Sequence, residues 1–506
     1  MFADETLDPV NIESQWRKSH QSAQESRGCQ TRALHSSEAE VQTLSTSVGW
    51  SQTEEPQQKD SEELLQQLQG EAEPPGLRDF LQRVEESVIA ELVRNARSHA
   101  FDGFQVNWEE HNNLVSCLHR LYYPRAQEGG LHVTSVSWSC TGSVIACAYG
   151  RIDEGDWSTE KSYVCTWNLN RQSLNPKQAD HVIDVPTVVT ALSCHPEQPA
   201  LIAGGLYTGE VVVWDTSQPQ DPVLVQTGMS ADSHREPVYQ VSWVPLQKKG
   251  EFGVLSASSR GQVFLWTVDS DRSRLILNAA YAFVRQQLPH SSSYKQARGS
   301  SSAVGVTSLA LSPWDSDTFL VGSEGGLLLR CSFSSQTPAA VPSEGQSVAP
   351  RAPALFSFRP QSGPVHSIHY SPFHRNLFIS TGTDGLAHLH SLLQVDPLLS
   401  LRVSDSYVFQ VQWSPTRPLV FAAATGQGEV QIFDLGRRSL RPAATIEEGR
   451  AGHAATCLSF NHQSPRLLAV GRTDGTVAVW QLSSELTEQD PRESGQLEQI
   501  ANQVAE

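Results

Sequence analysis

The sequence predicts an all-β fold: a seven-bladed β-propeller, preceded by a disordered N-terminal tail and an amphipathic helix. Three observations carry that prediction. A three-strand unit recurs about seven times with a period near 45 residues, as repeat architectures do. Within each unit the apolar runs are β-branched and aromatic, and turn chemistry separates them. The first 76 residues lack such runs altogether.

The clearest unit runs from Gly452 to Trp480, GHAATCLSFNHQSPRLLAVGRTDGTVAVW. Its turns fall at Asn461–Pro465 and at Thr473-Asp474-Gly475, the second a tight hairpin. A hairpin with one uncovered apolar face does not stay folded alone, so it needs neighbours of the same build. They span Val133–Leu169, Val188–Asp215, Val238–Trp266, Val306–Phe333, Val365–Leu392 and Val408–Leu435. The propeller is expected over 124–484, with the fourth strand of each blade in the variable linker. A segment at 485–506 is expected as an acidic tail. The linkers Gln286–Ala303 and Ser334–Pro353 are Ser/Pro/Gly-rich and are expected as mobile surface loops. An insertion at Arg151–Lys161 carries Asp156-Trp157-Ser158.

The repeats resemble WD repeats, in which Gly-His opens the unit, Asp sits in the hairpin turn and Trp ends the third strand. That resemblance implies a buried hydrogen-bonded set of Asp, His and Trp in each good blade. Only the last unit has all three, as His453, Asp474 and Trp480. Asp384 occupies the turn position of the fifth unit, where His390 replaces the Trp. Cys331 and Phe433 replace it in the fourth and sixth. Trp214 and Trp266 mark the second and third. Units without the set are expected to rely on apolar packing.

The tail, 1–76, holds 14 Asp/Glu against 5 Lys/Arg, a difference of −9, half of the chain's −18. It buries too little apolar surface to offset its ordering entropy and is read as disordered. A Gln-Thr motif recurs in it at Cys29-Gln30-Thr31, Val41-Gln42-Thr43 and Ser51-Gln52-Thr53. Gln-Thr also occurs at Gln226-Thr227 and Gln336-Thr337, so the even spacing in the tail, more than the dipeptide, is the signal. The bridge, 77–123, opens after Pro74-Pro75-Gly76 with Leu77, Phe80, Leu81, Val84, Val88, Ile89 and Leu92 at helical spacing. That stripe packs either on the chain's own folded part or on a partner. A short apolar run at Leu114–Leu121 reads as a strand added to the repeat domain.

Several function classes are excluded or weakened. The acidic balance and the lack of a basic tract argue against nucleic acid. No apolar run reaches the length of a membrane span, so direct membrane insertion is not expected. The 8 cysteines show no framework or C-x-x-C spacing and are read as reduced thiols of a cytosolic protein, several on strands (Cys147, Cys165, Cys457). No phosphate loop, zincin or nucleophile-elbow motif occurs, so neither catalysis nor a cofactor is expected. Gly322-Ser323-Glu324-Gly325-Gly326 sits where a blade hairpin turns. His366, His369, His374, His388 and His390 cluster in sequence, but without carboxylate or thiol partners they do not suggest a metal site.

Two phrases narrow the class. Trp413-Ser414-Pro415-Thr416-Arg417-Pro418 with Leu419–Ala422, and Ser371-Pro372-Phe373-His374-Arg375-Asn376-Leu377-Phe378, resemble the fifth and sixth blades of dynein intermediate chains. The order of tail motifs, helix and propeller is similar too. His99–Phe104 and the Ala148–Gly150 … Gly155–Ser158 insertion resemble the dynein-2 branch of that family, the cilium-specific retrograde motor. The resemblance implies a non-catalytic subunit whose propeller grips the dynein-2 heavy chain. It also implies a second intermediate chain, and light chains of hub, roadblock and Tctex types. The hub chain would take the Gln-Thr motifs as added β-strands, and successive sites would act through effective concentration. The roadblock chain would take the helix stripe. Cytoplasm, cilium and basal body are the implied locations. The main rival is a WD-repeat substrate receptor of a ubiquitin ligase, which carries W-D-x-R. Here Phe433-Asp434-Leu435-Gly436-Arg437 is out of register, and Trp214-Asp215-Thr216-Ser217 lacks the Arg.

Overall fold

The computed structural model describes residues 76–97, 114–151, 161–246, 250–269, 273–289, 303–341, 345–437, 439–447 and 452–502. The three tail motifs, the His99–Phe104 phrase, Asp156-Trp157-Ser158 and His290–Tyr294 lie outside these residues. Two units are distinguished, with a boundary at Val106/Asn107.

In the first unit, α1 (Leu77–Arg97) forms one uninterrupted helix of 21 residues. Gly76, at φ +97°, starts it, and its carbonyl accepts the first helical bond from Phe80 N (3.0 Å). Alternation of apolar and charged residues near 3.6 spacing gives the helix two unlike faces.

The second unit is a ring of seven four-stranded antiparallel blades. Blade 7 takes its outermost strand, β1 (Val115–Tyr122), from ahead of all the others. After it come α2 (Pro124–Glu128) and blade 1, β2–β5 (His132–Trp138, Val144–Gly150, Ser162–Asn168, His181–Val185). Blade 2 is β6–β9 (Val189–Cys194, Leu201–Leu206, Val211–Asp215, Val223–Gln226). Blade 3 is β10–β13 (Val238–Pro245, Phe252–Ser258, Gln262–Asp269, Arg274–Ala282). Blade 4 is β14–β17 (Val306–Leu311, Thr318–Ser323, Leu328–Ser332, Ala354–Ser357). Blade 5 is β18–β21 (Val365–Tyr370, Leu377–Gly382, Leu386–Ser391, Leu399–Arg402). Blade 6 is β22–β25 (Val408–Trp413, Val420–Thr425, Glu429–Asp434, Ala444–Glu447). Blade 7 adds β26–β28 (Ala455–Phe460, Leu467–Arg472, Thr476–Leu482). Blades 2 and 3 also touch edge to edge, through the single parallel pair Gln226 and Arg274.

The core lies between the blades as seven wedges of apolar side chains. Trp167, Trp214, Trp266 and Trp413 are its largest fully buried members. Some wedges need a glycine beneath a ring: a Cβ on Gly204 would lie 2.3 Å from Trp214 Cζ3. The glycine run at 322–326 is a hairpin turn. Gly326 has φ +83°, and a Cβ there would meet Gln361 O at 2.3 Å.

The apolar run at 114–121 is the strand that closes the ring. β1 pairs antiparallel with β28 from Val115 against Leu482 to Tyr122 against Thr476. Leu121 is fully buried among Val133, Cys457 and Val479, so it belongs to the wedge between blades 7 and 1.

Two expectations are corrected. Over its described part, the segment read as an acidic tail carries two helices, α3 (Ser484–Thr487) and α4 (Glu493–Asn502), with α4 packed under blade 6. Glu493, Leu497 and Ala501 are buried. Arg417 Nε donates to Glu493 Oε1 (2.8 Å), and its Nη2 donates to Asp434 Oδ2 (3.1 Å). One of the segment's carboxylates, Glu493, is thus held in a buried ion-pair network, while Glu485 and Glu488 stay exposed. The linker Ser334–Pro353 is, over its described part, folded along β13: Arg351 N donates to Ala280 O and Ala282 N to Arg351 O, each at 2.9 Å. A Ser/Pro-rich composition signals missing side-chain packing, but the free edge of β13 supplies backbone partners that composition does not reveal.

Truncating Leu121 to Ala should cost about 2–5 kcal/mol, as for a fully buried leucine. Chemical unfolding of the full chain measures this. A change within about 0.5 kcal/mol, the range of a surface substitution, would show that β1 is not holding the ring shut.

Candidate interaction sites

Two regions present chemistry to a partner: the face of α1 and the channel through the ring. On α1, Leu77, Phe80, Leu81, Val88, Ile89, Leu92 and Val93 are 38–62% exposed, and Val84 is half-buried. In proteins most helical stability comes from packing such an amphipathic face.

The channel is a cavity of about 520 Å³ lined by the innermost strands of all seven blades. Each of those strands is a free edge, so its inward N–H groups need acceptors. Side chains of the preceding blade supply several. Ser135 and Ser137 accept from Leu192 N (3.2 Å) and Cys194 N (3.0 Å). Ser367 Oγ and His369 Nδ1 accept from Val411 N and Trp413 N, both at 3.2 Å. Gln410 and Gln412 accept from Leu458 N (2.9 Å) and Phe460 N (2.7 Å). The Ser, Gln and His that interrupt these apolar strands are therefore bridges between blades.

All seven inner strands also carry a β-bulge near their start, after the first paired residue in six and after the second, Val133, in β2. A bulge re-aims one side chain. In four blades the bulged residue is threonine, bonded to a carbonyl at the start of the next blade's inner strand. Thr134, Thr307 and Thr456 donate to Val189 O, Val365 O and Val133 O, each at 2.6 Å. Thr190 donates to Val238 O. In blades 3, 5 and 6 the bulged residue is Tyr239, His366 or Phe409.

The residues singled out in the sequence fall as follows. His453, Asp474 and Trp480 do not form the expected set. Asp474 accepts from Thr476 N (2.9 Å) and Oγ1 (2.5 Å) of its own turn. The Trp480 indole N–H is buried without an acceptor among the described residues. His453 lines a cleft of about 550 Å³ at the seam, with His132 and Asp474. A different hydrogen-bonded set, of Ser, His and Trp, occurs in blade 3. Ser256 Oγ accepts from the Trp266 indole (2.8 Å) and shares a hydrogen bond with His234 Nε2 (2.7 Å). The signal was there in Ser-His-Arg ahead of Val238, but no Gly precedes that His. Blade 5 keeps a variant in which Ser380 Oγ bonds His390 Nε2 (2.9 Å) and Gln361 Nε2 (2.6 Å). Asp384 caps its turn through Leu386 N (3.1 Å) and meets His388 Nε2 at 3.1 Å. Trp214 is buried over Gly204.

Asp434 and Arg437 of the out-of-register ligase-like phrase belong to the ion-pair network that also holds Arg417. Ser371 and Ser414, each near the start of a family-like phrase, cap turns: Ser371 Oγ accepts from Phe373 N and His374 N, and Ser414 Oγ from Thr416 N and Arg417 N. No group of three His, Cys, Asp or Glu is arranged to hold a metal among the described residues. The cysteines among them are free thiols, and burial pushes that of Cys457 up to about 12. No described helix is long and apolar enough to cross a membrane.

The fold and its bulged, polar-edged channel define a WD40-repeat β-propeller, a class of scaffolds. The family model for the dynein axonemal intermediate chain 3 WD40 domain matches residues 239–482. The chain is 49% identical over 502 residues to cytoplasmic dynein 2 intermediate chain 2 of Mus musculus, covering 99% of this chain and 92% of that protein. The Homo sapiens protein of the same name is 48% identical over 505 residues, with the same coverage. Dynein axonemal intermediate chain 4 of Rattus norvegicus is 27% identical over 379 residues, 72% of this chain and 43% of that one. The chain belongs to the dynein intermediate chain family.

Burial holds His234 and His390 at about 3 and His369 at about 4, against 6.5 for a free imidazole. The unfolded chain takes up these protons below pH 6.5 and the folded ring does not. Stability from these sites is therefore complete above pH 6.5 and falls as the pH drops toward about 4 for His369 and about 3 for His234 and His390. The slope is up to about 1.4 kcal/mol per pH unit for each histidine. His369→Asn keeps an acceptor for Trp413 N without a titrating group. Unfolding titrations should show a slope shallower by close to one proton; an unchanged slope would remove His369 from the account.

Proposed function

We propose that the chain is a non-catalytic intermediate chain of a dynein-2 motor complex. It would join the heavy chain, through the propeller, to a second intermediate chain and to light chains, for retrograde intraflagellar transport and cilium assembly. The observation that carries this is the identity to cytoplasmic dynein 2 intermediate chain 2, which runs through 99% of the chain. Cytoplasm, axoneme and ciliary base follow as its locations.

The exposed stripe of α1 supports a docking role. Each large apolar side chain covered by a partner contributes about 1.5–3 kcal/mol. A roadblock-type light chain is the proposed occupant. The tail motifs at Gln30-Thr31, Gln42-Thr43 and Gln52-Thr53 are the proposed sites of the hub light chain. A Tctex-type chain completes the set.

Affinity purification of the full chain from ciliated cells tests the reading. Dynein-2 heavy and light chains are expected in the eluate, and cullin adaptors without dynein would overturn it. Changing Leu81, Val84 and Val88 to Asp should remove the roadblock chain alone, and its undiminished recovery would sink the helix assignment. Gln→Ala and Thr→Ala at all three tail motifs should lower recovery of the hub chain at least tenfold while heavy chain persists. Retained hub chain would refute the motif assignment.

A further inference from the structure

Three bulged positions stand apart from the other four. Where Thr134, Thr190, Thr307 and Thr456 each donate a hydrogen bond to the next blade, Tyr239, His366 and Phe409 carry rings. A ring cannot reproduce the threonine bridge, and ring closure alone gives no reason to forgo it at three bulges. Local departures from a repeated structural rule are where function is sought.

The shared register puts all three rings at the same mouth of the channel. Tyr407 joins them from the loop before β22. Its centroid is 6.2 Å from that of His366 and 6.2 Å from that of Phe409, and His366 and Phe409 are 5.5 Å apart. The cluster of His366, Tyr407 and Phe409 is open to solvent, with Tyr407 53% exposed, and Tyr239, two blades away on the same mouth, is 39% exposed. His366 Nε2 is buried without a hydrogen-bond partner among the described residues, and burial favours its neutral, acceptor-capable form. No Asp, Glu, Lys or Arg lines the channel among the described residues. Beyond it, Glu324 and Glu236 act on Tyr239: after burial and Tyr207, they raise its phenol above the ordinary range.

We infer that this mouth is a binding site for the guanidinium of an arginine on a partner protein, with ring faces against the cation and the His366 ring turning to bring Nε2 out as an acceptor for one of its N–H groups. Aromatic faces attract cations, and arginine's planar head stacks on them with donors left over for an acceptor at the edge. A cavity of about 520 Å³ behind the rings has room for the side chain. Anionic ligands are disfavoured, because no cation lines the wall. This site does not depend on which motor the chain serves.

Saturation-transfer NMR on the full chain tests it, with the peptide acetyl-Ala-Gly-Arg-Gly-Ala-amide as probe and its citrulline analogue as the uncharged isostere. Transfer to the arginine methylenes is expected, at least tenfold above that to citrulline. The triple variant Tyr239→Thr, His366→Thr, Phe409→Thr restores the residue used in the other four blades. It should lose the signal while its Tm stays equal to or above the parent's. Tyr407→Ala, in an exposed loop, should weaken the signal at least threefold with no change in Tm. Absence of transfer in the parent, equal transfer to citrulline, or a full signal in either variant would overturn the site. So would a triple variant that melts well below the parent, since the rings would then be packing residues.

Discussion

The ring depends on one strand being out of sequence order. Blade 7 contributes β26–β28, and its outer strand is β1, which precedes blade 1. Because of this the first and last repeats share a sheet-to-wedge seam instead of meeting as two loose ends. Three long-range hydrogen bonds reinforce it: Trp138 Nε1 to Ser459 O (2.9 Å), Thr456 Oγ1 to Val133 O (2.6 Å) and Asn461 Nδ2 to Gly142 O (2.7 Å). Closing a loop of that length costs entropy that grows only slowly with chain length, so the seam is affordable once β1 is buried. Contacts this far apart in sequence also make slow folding the expectation.

Once the ring is shut, the inner strands face a channel instead of another sheet. That places seven free edges around a narrow space. Part of the requirement they create is met by Ser135, Ser137, Ser367, His369, Gln410 and Gln412 bonding the next blade's N–H groups. The bulges belong to the same solution, since each turns one residue toward its neighbouring blade. Threonine there is a structural choice. Tyrosine, histidine and phenylalanine there give up structural economy for a surface.

One of the two family-like phrases acquires a role from the packing of α4. Trp413–Ala422 spans the end of β22 and its turn, and Arg417 within it anchors α4 through Glu493. A buried guanidinium between two carboxylates is costly to break and modest as net stabilisation, so its contribution is to fix where α4 sits. That position is what separates an ordered C-terminal cap from a charged tail, and nothing in the local composition distinguishes them.

Periodicity alone determined the blades, because strand alternation and turn residues are local signals repeated until chance is excluded. The amphipathic α1 and the added strand at 114–121 were legible for the same reason. Which sheet that strand joins was not, since an eight-residue apolar run can complete any open edge. A set of Asp, His and Trp was sought in blade 7, where the letters fit, and a set of His, Ser and Trp is formed in blade 3 instead. Hydrogen bonding depends on where Ser256 is carried relative to His234, which is a property of packed strands and not of spacing. The identity of Tyr239, His366 and Phe409 was always in the sequence. Only the tertiary structure decided that they are one position, because equivalence across blades comes from bulge register and a common channel wall.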